Sequence, residues 1–573
     1  MINIEVNGKQ VSAEKDDTIL TALRSEGIKV PTFCHIEGLK PTGACRMCVV
    51  EVEGYPGLIP SCSYPVQEGM KIFPNSQRVV NARKTILELL LANHPDDCLY
   101  CVRNSNCELR LMAAELNVDY RRYFGKPNEY KKDTSSPSIS RDPAKCILCG
   151  KCVRVCEEIQ GVSAIDFINR GSKAEIGTAF NQGLNVSSCI NCGQCIMVCP
   201  TGALTETSSI NPVLQAIANP DLHVVVQHAP SVSVTLGEEF NLPVGDDVEG
   251  KMTTALRQIG FDKVFETAFS ADLTVMEEAS EFAYRLNNNG KLPMMTSCSP
   301  GWIKYVEQSY PEFIPNLSSC KSPQQMLGAV IKSYYAESNN IPQEKIYSVA
   351  IMPCTAKKFE ADREEMSYNG IQDIDAVLTT RELATMIKMK GIEFDNLATD
   401  KADSPFGEQS GAGKIFGTSG GVMEAALRTA YKLITNTELQ QLDINEVRGM
   451  KDLKIVKINI NGQEFGFAVV NGLGNAKNLL EEIKNGRDDI HFIEVMTCPG
   501  GCIAGGGQPL HTNKAKVIER MKALYSIDKE VKIRKAHDNP SVCYLYEHYL
   551  GESLGHKSHE LLHTKYSERK VLK

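Results

Sequence analysis

The chain opens on an alternation. Ile2, Ile4 and Val6 fall on one side of an extended run, Asn7-Gly8 supplies a turn, Val11 resumes the run, and helix-like spacing begins at Thr18. That order predicts a β-hairpin followed by a helix. Beyond residue 209 the texture changes. Short apolar runs end in polar or glycine-bearing loops: HVVVQ then HAPS, LPMM then TSCSPGW, YSVAIM then PCTAKK, FIEVM then TCPGGC. Near-continuous apolar runs are what strands of a covered parallel sheet look like, so this region is expected to be α/β. Ligands of such sheets collect at the carboxyl ends of the strands. The four loops, three of which carry cysteine, are therefore expected to converge on one site rather than to be unrelated turns. The Ser/Pro-bearing stretch DTSSPSISRDP, 133–143, reads as a linker, and a second boundary is expected near residue 209.

Length and composition then set limits. At 573 residues the chain exceeds what one core supports, and three to five compact units are expected. A net charge of -8 and 42% apolar residues describe a water-soluble globular protein with no electrostatic case for nucleic acid. The start MINIEVNGKQ lacks the charged and apolar regions of a secretory signal, and no run of about 18 apolar residues is present to span a bilayer. The expected location is cytoplasmic, with no membrane partner. In that compartment 21 cysteines, many at CxxC spacing, read as metal ligands rather than disulfides.

Four cysteine sets precede the large region. The first is Cys34, Cys45, Cys48 and Cys62. Plant-type ferredoxins hold a [2Fe–2S] cluster by a related group of three with a distant fourth, although the loop here is longer; zinc is the alternative. The second set, His94, Cys98, Cys101 and Cys107, suits zinc or an iron–sulfur cluster by spacing alone, and its place between iron–sulfur motifs favours iron. A neutral histidine in place of a thiolate should raise the potential. The third and fourth sets are the runs CILCGKCVRVC and CINCGQCIMVCP, each CxxCxxCxxxC, the second ending in Pro200. This is the bacterial two-cluster ferredoxin signature, in which the fourth cysteine crosses over. Cys146, Cys149, Cys152 and Cys199 are thus expected on one [4Fe–4S] cluster, and Cys189, Cys192, Cys195 and Cys156 on the other. A row of such centres carries electrons, so the chemistry is expected at its end.

TSCSPGW, MPCTAKKFEADR and EVMTCPGGC resemble the three signature loops of FeFe-hydrogenases, the iron-only hydrogenases. APSV, MEEASEF, SPQQM, FGTSGGVMEAALR and LLHTKY match the same family. The likeness runs through the whole chain, to the large clostridial-type form and to catalytic subunits of multimeric NAD(P)-linked hydrogenases. It implies a multidomain α+β and α/β architecture: a β-grasp [2Fe–2S] ferredoxin-like domain (1–77), a small His/Cys cluster domain with one [4Fe–4S] (78–137), a two-[4Fe–4S] bacterial ferredoxin-like domain (138–209) and a large α/β hydrogenase domain (210–573). The implied reaction is the reversible interconversion of H2 with two protons and two electrons. The implied catalytic cofactor is an H-cluster, a [4Fe–4S] cubane joined to a two-iron unit carrying CO, cyanide and azadithiolate. Implied partners are ferredoxin or a similar low-potential carrier, NAD(P)-linked diaphorase subunits and maturation proteins. Energetics agree, since at about 59 mV per pH unit the proton couple at pH 7 lies roughly 0.41 V below its standard value, close to the about -400 mV of plant-type [2Fe–2S] centres.

On the family pattern Cys354, Cys498 and Cys502 ligate the cubane, and Lys357 donates to a cyanide, a charge-assisted hydrogen bond. Ala229, Pro230, Ser231, Ser322, Gln324, Met352, Phe416 and Met496 match positions lining the pocket. Cys298, Glu278, Ser318, Glu281 and Arg285 match the proton relay; Glu278 and Glu281 share a helix face if MEEASEFAYRL is helical. One position departs. Ser299 stands where the family has its fourth cubane cysteine, and a hydroxyl is a poor substitute for a soft thiolate. Ser299 ligates through oxygen, or Cys298 shifts in as ligand and leaves the relay, or the site is incompletely built; Cys298 in relay geometry is the expectation. Cys320 and Cys543 are expected to be buried thiols serving as small hydrophobes. GEQSGAGKIF superficially suggests a phosphate loop, but Ile415 follows Lys414 where Ser or Thr should stand, and the glycine spacing is wrong. Two other functions compete: an H2-sensing or catalytically impaired relative, favoured by Ser299, and a complex-I-like electron-input subunit, favoured by residues 1–209 alone.

Overall fold

The computed structural model describes residues 1–125, 128 and 130–571. The opening alternation forms the expected hairpin, Ile2–Val6 with Lys9–Ala13, in which Ile4 pairs with Val11 and both are buried. Thr18 then caps the helix Ile19–Ser25, its hydroxyl accepting from the Thr21 amide at 3.2 Å. The hairpin belongs to a five-stranded sheet completed by Lys71–Phe73, Val49–Val52 and Ile59–Pro60. Its core buries Cys48 and Cys62, with the helix Gln77–Ala92 beyond it.

The stretch 133–143 is not a linker. Ile139–Arg141 is a strand paired with Leu204–Glu206, Ser136 and Ser138 are buried, and the Asp133 and Arg141 backbones hydrogen-bond reciprocally. Serine content misled because these hydroxyls meet partners inside the fold; Ser136 Oγ, for one, donates to Asn191 Oδ1 at 3.1 Å.

The large region is α/β, but it holds two four-stranded sheets besides the small hairpin Ser367–Tyr368 and Ile371–Gln372. One is wholly parallel, in the order Lys263–Glu266, His223–His228, Ile346–Met352, Ala376–Thr379. The other runs Met294–Met295, Phe492–Met496, Gln463–Asn471, with Leu453–Ile460 as an antiparallel edge. Each sheet delivers two of the four expected loops from strand carboxyl ends. The helix Thr267–Asn287 packs against the helices Pro323–Val330 and Gly421–Thr435, and its residues enter three separate apolar clusters. That role requires apolar residues on several sides, Phe269, Leu273, Val275 and Phe282 among them.

Cys320 is buried as expected. Cys543 is exposed on the helix Pro540–Leu545, contrary to expectation, because Val542 and Leu545 take that helix's buried positions. Among the described residues no helix is long and apolar enough to cross a membrane.

Trp302, the single tryptophan, is fully buried in the core under the second sheet together with Ile493. Ile493→Ala should cost roughly 2–5 kcal/mol, seen as a lower urea midpoint for the Trp302 fluorescence transition. An unchanged midpoint would mean that this core does not hold the region together.

Candidate active site

The two sheets aim their loops at one cavity of about 100 Å³. Cys298 and Ser299 reach it from the loop after Met294–Met295, Met352 and Cys354 from the end of Ile346–Met352, and Met496, Thr497, Cys498 and Cys502 from the end of Phe492–Met496. Ala229, Pro230 and Ser231 follow His223–His228, and Gln324, Lys357 and Phe416 complete the named wall. Of the expected lining residues only Ser322 lies outside it; its hydroxyl turns back to donate to Glu360 Oε2 at 2.8 Å.

Cys354 and Cys502 are partly exposed only onto this space and Cys498 is buried. Burial pushes all three thiols up, Cys502 to about 12, and the nearness of Cys354 adds to the rise at Cys498 and Cys502. Gly501 sits at φ +94°, and a side chain there would strike the Ser419 amide, so the CPGGC loop needs glycine at this place. Ser299 precedes the helix Pro300–Ser309 at its N-cap, yet its hydroxyl does not cap it. Instead Ser299 Oγ lies 2.7 Å from Thr497 Oγ1, beside Cys498. Cys298 faces another way, packing with Ala271, Phe416 and Met496. Its thiol is pushed well up by burial and then by Glu278.

Lys357 is held rather than free. Its ammonium donates to Glu360 Oε2 at 2.8 Å and to the Cys298 carbonyl at 3.1 Å, which leaves one of its three protons for the cavity. Gln324 Nε2 reaches both Glu360 and the Lys357 carbonyl at 3.3 Å. Glu360 therefore ties Lys357, Ser322 and Gln324 together. Ser231 Oγ and Gln324 Oε1 are buried without a protein partner and line the cavity. The donor set fits an iron–sulfur group: three buried sulfurs, one cation beside them, and orphaned polar atoms facing inward.

From Cys298 a row of polar side chains leads away along the helix Thr267–Asn287. Glu278 Oε1 accepts from the Ser297 amide at 3.4 Å, Ser318 Oγ donates to Glu281 Oε2 at 2.8 Å, and Arg285 Nη2 donates to Glu281 Oε1 at 2.6 Å. Glu278 Oε2 is buried without a hydrogen-bond partner. Burial, reinforced by Glu281, pushes Glu278 up to about 8, so it is neutral at pH 7 and able both to give and to take a proton.

The accessory cysteines gather as follows. Cys146, Cys149, Cys152 and Cys199 line one small cavity, and Cys156, Cys189, Cys192 and Cys195 line another. Cys192 also lines the catalytic space. Cys34 and Cys45 share one apolar cluster, and Cys48 and Cys62 another. Cys34 and Cys149 share one apolar cluster. His94 is buried, whereas Cys98 is exposed at the start of the short turn Cys98–Tyr100; Cys101 packs on Gly202, next to the Cys199 loop. Lys414, set aside above as a phosphate-loop lysine, is buried and paired with Glu249 and Glu266.

A fold that ends a row of buried sulfur sites on a cavity with three buried thiols defines an iron–sulfur redox enzyme. The chain belongs to the iron-only hydrogenase family. Residues 222–506 match the iron only hydrogenase large subunit, C-terminal domain, and 514–569 the iron hydrogenase small subunit. Ahead of these, 1–77 match a 2Fe-2S iron-sulfur cluster binding domain, 83–122 the NADH-ubiquinone oxidoreductase-G iron-sulfur binding region, and 136–205 the ferredoxin-like domain of NADH-quinone oxidoreductase subunit 3. The chain is 46% identical to the NADP-reducing hydrogenase subunit HndD of Solidesulfovibrio fructosivorans, over 100% of both chains. It is 43% identical to iron hydrogenase 1 of Clostridium pasteurianum, over 99% of this chain and 100% of that one. A solved variant of the apo [FeFe]-hydrogenase HydA1 from Chlamydomonas reinhardtii superposes with a TM-score of 0.58 at 43% identity, covering 64% of this chain and 100% of that chain.

Sequence reasoning passed over Thr497, Glu360 and Glu494. Glu494 accepts from the Gly420 and Met423 amides at 2.7 and 2.6 Å and so anchors the FGTSGG loop behind Phe416. A carboxylate inside the apolar run FIEVM was the available signal.

Glu278 carries a stability consequence with a definite sign. Its folded value near 8 lies above the roughly 4.3 of an unfolded glutamate, so the folded state keeps the proton and loses stability as pH rises through 8. Glu278→Gln should reduce that loss. Urea midpoints followed by Trp302 fluorescence at pH 5 and pH 9 should differ less in the variant than in the parent; equal differences would place the carboxyl in a more polar setting.

Proposed function

We propose that this chain interconverts hydrogen with protons and electrons in the cavity between the two sheets. The observation that carries the reading is the meeting of Cys354, Cys498, Cys502 and Ser299 around one cavity that Cys192 also lines. Cys354, Cys498 and Cys502 would hold the cubane of the family's H-cluster, and Ser299 would supply its fourth protein ligand through oxygen. Three features support the serine: it leaves the helix N-terminus uncapped, its hydroxyl turns to Thr497 beside Cys498, and Cys298 faces the proton row. When bound, the two-iron unit would supply the heterolytic splitting of hydrogen. Lys357, positioned by Glu360, would donate to an anionic ligand of that unit, while Ser231 and Gln324 offer their unpartnered polar atoms.

Protons would pass between the cavity and the surface through Cys298, Glu278, Ser318, Glu281 and Arg285. Electrons would pass through Cys192 and its set to the set of Cys146, Cys149, Cys152 and Cys199, and onward by Cys34 or Cys101 to the first two sets. The full complement is then one [2Fe–2S] and three [4Fe–4S] clusters besides the H-cluster, with His94, Cys98, Cys101 and Cys107 holding iron rather than zinc. Four units follow, near 1–77, 78–137, 138–209 and 210–573. The HndD relative is named as reducing NADP, and its likeness over the whole chain supports an NAD(P)-linked partner subunit as the electron carrier, with ferredoxin as the alternative.

Infrared spectra of the matured protein should show CO and cyanide stretches, and hydrogen should evolve with a reduced low-potential dye; absence of the stretches overturns the reading. Ser299→Cys should keep those stretches while raising the cubane midpoint potential and changing its electron paramagnetic resonance, because sulfur is the softer, less localising donor. Identical potentials and spectra would remove Ser299 from the ligand set.

A further inference from the structure

Arg285, the last group of the proton row, cannot itself release a proton near neutrality, because a guanidinium stays charged at all working pH values. Its donors are also committed, to Glu281 and to the carbonyls of Lys291, Pro315, Asn316 and Leu317. A proton that reaches Glu281 therefore needs another acceptor. A histidine stands there. A ring nitrogen of His563, the Cys320 thiol and a Glu281 carboxylate oxygen lie within 4.8 Å of one another, all three residues buried. Ser319 links the two acid–base groups: its amide donates to Glu281 Oε2 at 3.1 Å, and its hydroxyl lies 2.8 Å from His563 Nδ1.

The far side of the imidazole is equally defined. His563 Nε2 lies 3.0 Å from Glu277 Oε2. Glu277 also accepts from Tyr546 Oη at 2.5 Å, Ser558 Oγ at 2.6 Å and the Leu554 amide at 2.9 Å. Burial acts to raise Glu277, but the hydrogen bonds led by His563 outweigh it and hold the carboxyl below its ordinary value, so Glu277 stays ionised. His559, one helical turn earlier, packs its ring 4.2 Å from that of His563 and is exposed to solvent. Glu277, Glu281, Cys320, Ser319 and His559 thus surround an imidazole that bridges the buried row and the surface of the helix His556–Leu562.

We propose that His563, backed by Glu277, is a second outlet of the proton row at Glu281, a reading that rests on the relay proposed above. A neutral Glu281 gives its proton to the His563 ring nitrogen that lies within 4.8 Å of it, and the imidazolium formed is stabilised by the Glu277 carboxylate. Loss of the proton from Nδ1 through the half-buried Ser319 hydroxyl to bulk water restores the neutral ring. Only O–H and N–H bonds change, and the charge leaves with the proton.

The test uses the matured enzyme. His563→Gln should lower turnover by on the order of tenfold or more, given that a positioned acid–base group is worth about 10²–10⁴-fold. It should also raise the solvent isotope effect between about pH 6 and 9, with the CO and cyanide stretches unmoved. Should that variant fail to fold, Glu277→Gln, which keeps the shape and removes the charge, should shift turnover and isotope effect in the same direction. Unchanged turnover, or a loss with an unchanged isotope effect, overturns the outlet. Glu281→Gln separates the two readings: full turnover there sinks the relay itself, whereas an inactive Glu281→Gln beside a normal His563→Gln sinks the outlet alone.

Discussion

The backbone contact between Gly506 and Cys192 is the constraint on which the rest of the arrangement depends. A side chain at 506 would strike the Cys192 carbonyl, so the two loops touch main chain to main chain. Thr355 Oγ1 closes the same junction by donating to the Asn191 carbonyl at 2.7 Å, and Gln194 Nε2 by donating to the Ala504 carbonyl at 3.0 Å. Segments more than 150 residues apart in sequence are thereby locked by a main-chain contact and two side-chain hydrogen bonds. This lets Cys192 belong to a ferredoxin-like cavity and to the catalytic wall at once. The strand ends, the sheets behind them and the helix Thr267–Asn287 all take their places relative to that point.

Within the catalytic space one carboxylate does for the polar side chains what Gly506 does for the backbone. Glu360 receives Lys357, Ser322 and Gln324, three residues from two loops, at one oxygen. A buried carboxyl shared by that many donors holds the ammonium at a fixed distance and direction. The Ser299–Thr497 contact is of a different kind, two neutral hydroxyls free to exchange roles as donor and acceptor. An alkoxide at Ser299 would make Thr497 its donor, a stabilisation that a thiolate at the same place would need less.

Much of this was legible in the chain, and the limits have physical causes. Cysteine spacing is local, so the four accessory sets stood out, as did the four loops, because a strand and the loop that follows it are neighbours in sequence. The division into two sheets was not legible: each strand is a short apolar run, and nothing in LPMM or FIEVM says which sheet it joins. Glu360 was passed over because its value lies in partners that arrive from Ser322 and Gln324, nearly forty residues away. DTSSPSISRDP was misread because serines buried against Asn191 look like serines in solvent. Cys543 was misplaced because a short helix offers few positions from which to judge its buried face. His563 lay in a matched segment, LLHTKY, but only the fold carries it to the side of Glu281.

The two routes by which the accessory sets approach the ferredoxin-like core have a consequence best stated as a circuit. Cys34 reaches Cys149 through a shared apolar cluster, and Cys101 reaches the Cys199 loop at Gly202, so two leads join at one node, while a single lead through Cys192 goes on to the catalytic space. On the electron route proposed above, a circuit of that shape would tolerate a break in either arm of the fork but none in the stem. Damage near the surface, where Cys98 is exposed, would then cost one contact with the outside, whereas a fault at the Gly506–Cys192 joint would silence every contact together.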